Sequence, residues 1–485
     1  MRVCLVAEGC YPYVVGGVSG WIDSMIRSFP NIEFILLSIV SDRSVRGNFL
    51  YNLPENLTQV HEVYLNDYDW TEKRKRRVRL DKDEYQALKN IVFNEKTNWD
   101  IIFDLFHKKN ISVNNLLMSK DFYHIARSCY DAFYPNINFS DFLWTLRSIY
   151  LPLFLVLKTD VPKADLYHCV STGYAGVLGC MGKYFHNARL MISEHGIYTR
   201  EREEEIIKAG WVKGVYKNIW IDQFKKISLL AYQHADRVTC LYKHAKELQI
   251  ELGCPSEKIM ITPNGIDIDH LRNLPLKNKD EEKMINIGAI LRVAPIKDIK
   301  TMIQSFAIAK EKVKNLKLWI MGPTDEDEEY AKECSDLIQS LKLKDVIFTG
   351  RIDIHDYLGK MDFTILTSIS EGMPLTILES FAAHKPVIAT DVGNCKELIY
   401  GTEDNFGPAG IVTHIMNINE IANAMVRLSM YPQDRETMGS AGYKRVKEYY
   451  SIEQMKETYR RIYRSFALEK EIGWNKETFR IGRRG

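Results

Sequence analysis

The sequence predicts an α/β protein built from two doubly wound parallel sheets. Short apolar runs, typical of parallel strands buried on both faces, alternate with amphipathic helical segments along most of the 485 residues. The alternation stops near residue 263 and restarts near residue 284, after a polar stretch that begins with Pro263, Asn264 and Gly265. At about 150 residues per domain, the length allows two or three domains. We therefore expect two α/β domains joined by a short hinge, with a ligand cleft between them.

The first domain opens with a β-α-β unit. Residues 2–7 are a continuous apolar run, the pair Gly16-Gly17 leads into an amphipathic segment at 18–29, and residues 32–39 are a second apolar run. Further strands are predicted at residues 166–170, 189–193, 236–241 and 258–262. A long helical stretch is predicted after His195, up to about residue 233.

Residues 55–150 interrupt this alternation. They are rich in aromatic residues and their periodicity is mostly helical, so we expect a helical insertion in the first domain. The insertion carries a basic run at residues 73–77. A solvated helix face is the simplest interpretation of that run, and contact with a partner or a membrane surface is the alternative.

Four glycines recur every third residue after the strand at 166–170, at positions 173, 176, 179 and 182. On a helix this spacing predicts that a neighbouring element packs closely. The alternative is an open helix N-terminus near residues 171–173 that faces a ligand.

The second half repeats the same pattern. Strands are predicted at residues 284–290, 316–321, 346–349, 363–366 and 386–389. Helices are predicted between them at residues 299–309, 330–341 and 375–383, followed by a charged helical tail from about residue 434.

Composition excludes several classes of protein. The 65 basic and 63 acidic side chains give a net charge of +2, which argues against nucleic acid as the main partner. The nine cysteines are widely spaced without a CxxC pair, so neither zinc nor a disulfide framework is indicated. The opening apolar run is too short for a secretory signal, and the longest later one, at 149–157, is too short to span a bilayer. We expect a cytoplasmic protein that does not span the membrane.

The strongest chemical signal is the pair Glu371 and Glu379. Pro374 suits the first position of a helix, so residues 368–372 are expected to be a loop that leads into a helix N-terminus. Such a terminus has unpaired amides and a partial positive charge, which suit a diphosphate. Two carboxylates on either side of it can accept hydrogen bonds from hydroxyls on separate parts of one long ligand. The alternative is a loop glutamate and an unrelated helix glutamate.

A second signal follows the first strand of the second half. Arg292 and Lys297 lie where open α/β sheets bind ligands, at the carboxyl end of a strand. An arginine fork and a lysine point charge can together neutralise a diphosphate without metal. Two ordinary surface cations are the alternative.

Two further positions in the first half are candidates. Gly16-Gly17 is not a GxGxxG fingerprint, but a glycine pair lets backbone amides approach a phosphate or a sugar; a plain tight turn fits as well. His195 stands at a predicted strand end and can bind a sugar hydroxyl or act as a general acid or base; a structural histidine is the alternative. The short DxD patterns in the sequence, such as Asp267 and Asp269, are common by chance, and we infer no metal site.

In order along the chain, these residues resemble the retaining GT-B glycosyltransferases whose family carries an E-x7-E motif. Residues 7–21 and 193–202 are similar, more narrowly, to the PelF subgroup, the cytoplasmic enzymes of Pel exopolysaccharide synthesis, which the helical insertion also fits. The chain departs from the family at 294–296, between the two cations, and at Asp298, where many relatives have glycine.

The resemblance implies a GT-B architecture with two Rossmann-like domains facing a cleft. Residues 1–264 would form the acceptor-side domain and residues 265–445 the donor domain, with helices at 446–485 that pack back toward the first domain. Donor-binding residues implied by the resemblance are Gly16, Gly17, Arg292, Lys297, Gly350, Arg351, Glu371, Gly372, Met373, Pro374, Leu375 and Glu379. Catalysis is assigned to His195, Glu371, Arg292 and Lys297.

The function that the resemblance implies is retaining transfer of a sugar from a UDP-sugar to a growing exopolysaccharide, without metal or cofactor. Membrane-embedded synthase subunits are further expected partners, which would hold the protein at the inner face of the membrane. Two alternatives stay open: a UDP-sugar 2-epimerase on the same fold, and a non-catalytic subunit of a polysaccharide synthase that binds the nucleotide sugar.

Overall fold

The computed structural model describes residues 1–66, 78–279, 281–402 and 404–469. The chain divides into two compact units. The first comprises Met1–Ile261 together with the chain from Arg461 onward, and the second is Thr262–Arg460. The basic run at residues 73–77 lies outside the described residues, so its predicted role stays a prediction.

The first unit is built on a seven-stranded, all-parallel sheet with the order β3-β2-β1-β4-β5-β6-β7. Its strands are β1 (Arg2–Glu8), β2 (Glu33–Val40), β3 (Leu57–Tyr64), β4 (Leu166–Cys169), β5 (Arg189–Ser193), β6 (Arg237–Cys240) and β7 (Ile259–Ile261). The central strands read as apolar runs because helices cover both faces of the sheet; residues 3–7 of β1 are all buried.

The helices of this unit up to Ile261 are α1 (Gly17–Ser28), α2 (Lys82–Val92), α3 (Trp99–His107), α4 (Val113–Leu117), α5 (Lys120–Phe133), α6 (Phe139–Leu157), α7 (Tyr174–His186), α8 (Tyr198–Lys208), α9 (Tyr216–His234) and α10 (Lys243–Glu251).

Three predictions about these elements need correction. The helical insertion begins later than residue 55, because Leu57–Tyr64 forms β3 at the edge of the sheet. Half-exposed and polar, this strand lacks the apolar run by which the other strands were found. The insertion extends beyond residue 150, because α6 continues to Leu157. The long helix predicted after His195 is two helices, α8 and α9, separated at Gly210 and at Gly214, whose φ is 56°.

Helix α6 forms the core of the insertion and packs on α5, α7 and α9. Among the described residues it is the one helix long and apolar enough to cross a membrane, with a mean hydropathy of 1.3. Half of the 18-residue stretch that has this hydropathy is buried within the structure, as in the core helix of a globular domain.

The glycine stripe of α7 serves close packing. A Cβ atom on Gly176 would lie 2.6 Å from the Cβ of Ala231 in α9, and one on Gly179 would lie 2.4 Å from Sγ of Cys169 in β4. Larger residues would push α7 away from the sheet and from α9.

The second unit holds a six-stranded parallel sheet with the order β10-β9-β8-β11-β12-β13. Its strands are β8 (Ile285–Ile290), β9 (Leu316–Met321), β10 (Val346–Gly350), β11 (Phe363–Leu366), β12 (Val387–Thr390) and β13 (Gly410–Thr413). Its helices are α11 (Ile299–Lys312), α12 (Glu328–Ser340), α13 (Ile354–Leu358), α14 (Leu375–Ala382), α15 (Cys395–Tyr400), α16 (Ile418–Met430) and α17 (Pro432–Tyr449). The sequence did not indicate β13, a four-residue edge strand.

A last helix, α18 (Ile452–Glu469), belongs to both units, because the division falls between Arg460 and Arg461. Its second half completes the core of the first unit. There the Tyr463 hydroxyl lies 2.7 Å from Nδ1 of the buried His168 in β4.

In each sheet the winding direction reverses once, between β1 and β4 in the first and between β8 and β11 in the second. Doubly wound sheets bind ligands beyond the carboxyl ends of the strands at such switch points. The loops that follow these four strands are therefore the places to look for function.

Candidate active site

An ion pair lies at the switch point of the second sheet. The Lys297 ammonium, in the loop after β8, is hydrogen-bonded to Oε1 of Glu371, in the loop after β11. Both side chains are mostly buried, with 16% and 12% exposed. Oγ of Ser368 donates to the same carboxylate oxygen at 2.6 Å. The structure thus brings together two residues that lie 74 positions apart in the sequence.

Backbone contacts fix the two loops against each other. Oγ1 of Thr367 donates to the carbonyl oxygens of Lys297 and Asp298, at 3.0 and 3.1 Å. The Ile369 amide donates to the carbonyl of Ile296 at 2.9 Å. The position of the lysine relative to the glutamate is therefore set by main chain as well as by charge.

Asp298 adopts a backbone conformation that most residues avoid. Its φ is 47°, in the left-handed region that glycine favours and that aspartate adopts more readily than most residues. Its side chain also caps α11 by accepting from the Thr301 amide at 3.4 Å.

Gly393 supports the loop that carries Glu371. A Cβ atom at this position would lie 2.2 Å from the carbonyl oxygen of Glu371 and 2.4 Å from that of Gly372, and its φ is 52°. The neighbouring Asn394 amide donates to the Gly372 carbonyl at 2.9 Å. Only glycine allows this close approach.

The loop ends at Pro374, which is the N-cap of α14 and not its first helical residue as the sequence suggested. Met373 and Pro374 are buried, whereas Leu375, the first residue of the helix, is half-buried. Within the described ranges, no side chain caps the first turn of α14. Its amides therefore remain available to a ligand.

Glu379 lies within α14 and differs sharply from Glu371. In the part of the chain that the structure describes, its carboxylate has neither an ion-pair partner nor a hydrogen-bond donor. Burial raises the pKa of this carboxyl to about 7. A partly buried carboxylate without a partner is an unusual feature that points to a ligand.

Arg292 does not join the Lys297–Glu371 pair. It follows β8, is about half exposed, and its guanidinium lies 2.8 Å from Oε2 of Glu326. Arg351, beyond β10, faces Asp325 at 3.4 Å with about two thirds of each side chain exposed. The sequence did not predict either acidic partner.

Gly350 lies at the carboxyl end of β10 with a φ of 70°. Its carbonyl accepts from the Gly322 amide at 3.0 Å, next to β9. A Cβ atom on Gly322 would lie 1.9 Å from the carbonyl oxygen of Leu291, the residue before Arg292. The predicted donor-binding residues at the ends of β8 and β10 thus lie on either side of Gly322, the residue that follows β9.

The first unit places Gly16-Gly17 and His195 at the carboxyl edge of its own sheet. Gly16 is extended, with a φ of 177°, and space is open beside both glycines. The His195 ring meets the edge of the Trp21 ring, with centroids 4.5 Å apart. Nε2 of His195 is buried and has no hydrogen-bond partner among the described residues, and burial lowers the pKa of the imidazole to about 4.

Two carboxylates at this edge of the sheet were not singled out from the sequence. Glu194 is 3% exposed, and its carboxylate accepts from Tyr232 at 2.5 Å, Gln249 at 2.8 Å and Thr172 at 3.0 Å. The other is Glu8, the last residue of β1. The sequence does contain a signal for Glu8, because a glutamate at the end of an apolar strand lies where such sheets bind ligands.

Within the described ranges, no group of three His, Cys, Asp or Glu side chains is arranged to hold a metal ion. The absence of a metal requirement stays a prediction.

Two family models match the chain. One, described as a domain of unknown function (DUF3492), covers residues 1–257, which is more than half of the chain. The other, described as glycosyl transferases group 1, covers residues 267–445.

Relatives and solved structures agree with the second match. The chain is 24% identical over 292 residues to the UDP-Gal:alpha-D-GlcNAc-diphosphoundecaprenol alpha-1,3-galactosyltransferase of Escherichia coli, which is 58% of this chain and 69% of that enzyme. It is 28% identical over 220 residues to the uncharacterized glycosyltransferase MJ1059 of Methanocaldococcus jannaschii, which is 43% of this chain and 48% of that protein. Anabaena Alr3699/HepE, solved in complex with UDP and glucose, superposes with a TM-score of 0.60 at 15% identity, covering 96% of this chain and 100% of that one.

At that identity the structural likeness shows the fold, two Rossmann-like domains of the GT-B type. The chain therefore belongs to the DUF3492 family; its fold is of the GT-B type, and its residues 267–445 match the glycosyl transferases group 1 family.

Proposed function

We propose that this protein is a retaining glycosyltransferase that moves a sugar from a UDP-sugar to a growing exopolysaccharide of the Pel type, without a metal ion. The observation that carries the proposal is the Lys297–Glu371 pair at the switch point of the second sheet, beside the uncapped first turn of α14. The name of the Escherichia coli relative supports a UDP-sugar as donor. The Pel branch rests on the resemblance of residues 7–21 and 193–202.

The donor diphosphate fits a place that offers one positively charged side chain and several backbone amides. Lys297 supplies the charge, and the first turn of α14 supplies amides at the positive end of the helix dipole. Arg292 at the same edge of the sheet can add a bidentate contact if it leaves Glu326, an exposed partner that holds it weakly.

The two glutamates take separate hydroxyl groups of the donor. Glu371 accepts from the sugar that is transferred while Lys297 turns to the diphosphate. Glu379, which has no protein donor in the described residues, accepts from the ribose hydroxyls. Residues Gly350 and Arg351 contact the uracil at the end of β10.

The reaction we propose is a displacement on one face of the sugar ring. The bond from the anomeric carbon to the UDP oxygen breaks, and the bond to the acceptor oxygen forms on the same face. The acceptor proton passes to the leaving phosphate oxygen, so that UDP departs. The protein contributes position and charge: Lys297 and Arg292 stabilise the charge that develops on the diphosphate. Neutral His195 binds a sugar hydroxyl.

The test is a panel of UDP-sugars with and without glycan acceptor, in which UDP release and product mass are measured. We expect Lys297→Ala to lower the rate of transfer about 100-fold or more, the range found when one stabilising donor is lost. The matched control is Lys300→Ala in the first turn of α11, three residues further on, since Lys300 pairs with the exposed Glu333. Wild-type transfer by Lys297→Ala would overturn the assignment of the diphosphate site.

The same panel separates the alternatives. A 2-epimerase converts the donor without an acceptor, and a non-catalytic synthase subunit binds the nucleotide but releases no UDP. A cytoplasmic location, with membrane partners that present the acceptor, is part of the proposal and is checked by fractionation of cells that express the tagged protein.

A further inference from the structure

Trp21, in α1, packs against the candidate residue His195. The two rings meet edge to face, with centroids 4.5 Å apart. The His195 side chain makes no hydrogen bond and no ion pair with any residue that the structure describes, although its Nε2 is buried. A ring without such bonds takes its orientation from the groups packed against it. The indole of Trp21 is therefore in a position to set the orientation of this imidazole.

A second imidazole, that of His168 in β4, fixes Trp21 from its other side. The rings of Trp21 and His168 also meet edge to face, with centroids 5.7 Å apart, and Trp21 is only 7% exposed. His168 is fully buried, and both of its nitrogens have partners. Nδ1 lies 2.7 Å from the Tyr463 hydroxyl, and Nε2 lies 2.7 Å from Oγ of Ser193. Trp21 thus packs on one imidazole that hydrogen bonds hold in place and on another, His195, that lacks them among the described residues.

Helix α1 connects Trp21 to the Gly16-Gly17 loop. Gly17 is the first residue of α1, and Trp21 follows four residues later, which places both on one face of the helix about 6 Å apart along its axis. Beside Gly17 the space is open, since nothing lies within 4 Å of a Cβ atom built there. The room for a ligand and the contact with His195 therefore belong to neighbouring turns of the same helix.

A sugar hydroxyl needs an imidazole of one fixed orientation. Burial lowers the pKa of His195 to about 4, so near pH 7 the neutral ring has one nitrogen that donates and one that accepts. Turning the ring by 180° exchanges each nitrogen with a carbon atom. A hydroxyl that meets a nitrogen in one orientation would meet a C–H group in the other, and the hydrogen bond would be lost.

We propose that Trp21 is a positioning residue for the transfer reaction, which packs between His168 and His195 and holds the His195 imidazole in the one orientation that presents a nitrogen to a hydroxyl of the sugar beside Gly17. The inference rests on the proposed function, in which His195 binds a sugar hydroxyl. Trp21 acts only through the imidazole. A sugar that enters beside Gly17 meets a ring whose orientation is already set, so less of the barrier is spent on ordering it.

The test replaces Trp21 by leucine, which fills much of the space but has no aromatic edge, and by phenylalanine, which keeps one. Carbon-13 relaxation of labelled histidine in the full chain gives the order parameter of the His195 ring, whose signal is assigned by its loss in His195→Gln. In Trp21→Leu we expect this order parameter to fall below about 0.6, the range of flexible groups, and in Trp21→Phe to stay near the wild-type value. The His168 ring should stay ordered in both variants, which shows that they are folded.

Transfer rates are compared in the same variants. We expect Trp21→Leu to lower kcat about 10- to 100-fold and to change the donor KM much less, because orientation in the transition state is lost and most donor contacts remain. Trp21→Phe should recover most of the rate. The matched control is Trp99→Leu in α3, because Trp99 is also 7% exposed but packs on Phe103, with ring centroids 6.3 Å apart. It should keep the wild-type kcat and an ordered His195 ring.

Three results would each overturn the inference: a His195 ring that stays ordered in Trp21→Leu, a mobile ring with wild-type kcat, or an equal loss of kcat in Trp99→Leu. The last would mean that the rate follows general stability. If the wild type itself transfers no sugar, the proposed function fails. The order parameter needs no transfer, so it still decides whether Trp21 holds the imidazole.

Discussion

At the scale of single residues, the two glutamates of one motif have opposite surroundings. Glu371 is held by Lys297 and by the Ser368 hydroxyl. Glu379 has no partner in the described part of the chain, and burial raises the pKa of its carboxyl to about 7. The first carboxylate is stabilised by the protein itself, whereas the second makes the folded state less stable whenever it is ionised.

We expect Glu379→Gln to stabilise the protein above neutral pH. The pKa of Glu379 is raised from 4.5 to about 7, so between these values the unfolded chain has lost a proton that the folded chain keeps. The free energy of unfolding of the wild type therefore falls as the pH rises through this window. The variant should be more stable by about 1–3 kcal/mol at pH 8 and equal at pH 4.5, as measured by denaturant unfolding at each pH.

The matched control is Glu333→Gln, at an exposed position on α12 where the side chain is 50% exposed. The difference in unfolding free energy between this variant and the wild type should not grow between pH 5 and 8. UDP binding should weaken in Glu379→Gln alone. A stability difference that does not depend on pH would contradict the buried, unpartnered state of this carboxylate.

His195 should remain neutral well below neutral pH. Burial lowers its pKa from 6.5 to about 4, so the folded state binds fewer protons than the unfolded state between these values, and stability rises with pH across that window. Nitrogen-15 chemical shifts of labelled histidine should show one ring, absent in His195→Gln, that stays neutral at pH 5.5. A shift of that ring with a midpoint near 6.5 would mean that the imidazole is exposed to water.

Sequence alone could place the cations and glutamates at strand ends. Apolar runs mark the strands, and these charged residues come shortly after such runs. It could not predict which of them would meet. Lys297 reaches Glu371, but Arg292 faces Glu326, an acidic residue in a polar loop with no pattern of its own. Nor did the sequence single out Glu8, whose three donors come from residues 163 to 190 positions away.

At the scale of elements, the loop from β11 to α14 is held in place by the turn after β12. Gly393 approaches the carbonyl oxygens of Glu371 and Gly372 so closely that the two loops pack backbone against backbone. The position of the Glu371 carboxylate therefore depends on a residue outside its own motif.

We expect Gly393→Ala to move this loop and to weaken donor binding. Its methyl group would meet two carbonyl oxygens, in addition to the strain of a positive φ. The control is Gly407→Ala, because Gly407 also has a positive φ, 86°, but nothing lies within 4 Å of the added methyl group. The loss of unfolding free energy should be about 1–3 kcal/mol larger for Gly393→Ala. Equal losses would show that strain alone, and not the contact with Glu371, accounts for the effect.

The sequence predicts strands and helices well where they carry a clear hydrophobic pattern, and poorly where they do not. The buried strands β1, β2, β8 and β9 stand out as apolar runs. The edge strand β3 is half exposed and carries polar residues, so its sequence resembles a helix or a loop. Its assignment depends on a neighbour in space that the local sequence does not reveal.

At the scale of the whole molecule, α18 connects the two units through one continuous helix. In its second half, Tyr463 is fully buried and its ring lies 5.4 Å from that of Phe29. Its hydroxyl reaches His168 beneath the sheet of the first unit. The first unit therefore depends on a segment that follows the entire second unit in the sequence.

We expect Tyr463→Ala to destabilise the first unit by about 3–5 kcal/mol, the usual cost of removing a buried aromatic side chain. Hydrogen exchange should become faster at the amides of β4 and β5, and much less so in β8 and β11. The control is Tyr449→Ala, since Tyr449 is 41% exposed. Faster exchange confined to the second unit would contradict the place of Tyr463 in the first core.

The shared helix also determines when the first unit can finish folding during synthesis. Domains usually fold in the order in which the ribosome makes them. Here the strands of the first sheet are complete at Ile261, but the helix that covers His168 and Phe29 is translated only after Arg460. Until then the apolar surface under α18 is open, while the second unit already has its own sheet. The half of the protein that is made first is thus the half that is completed last, and during that interval it is the part most exposed to aggregation and to chaperones.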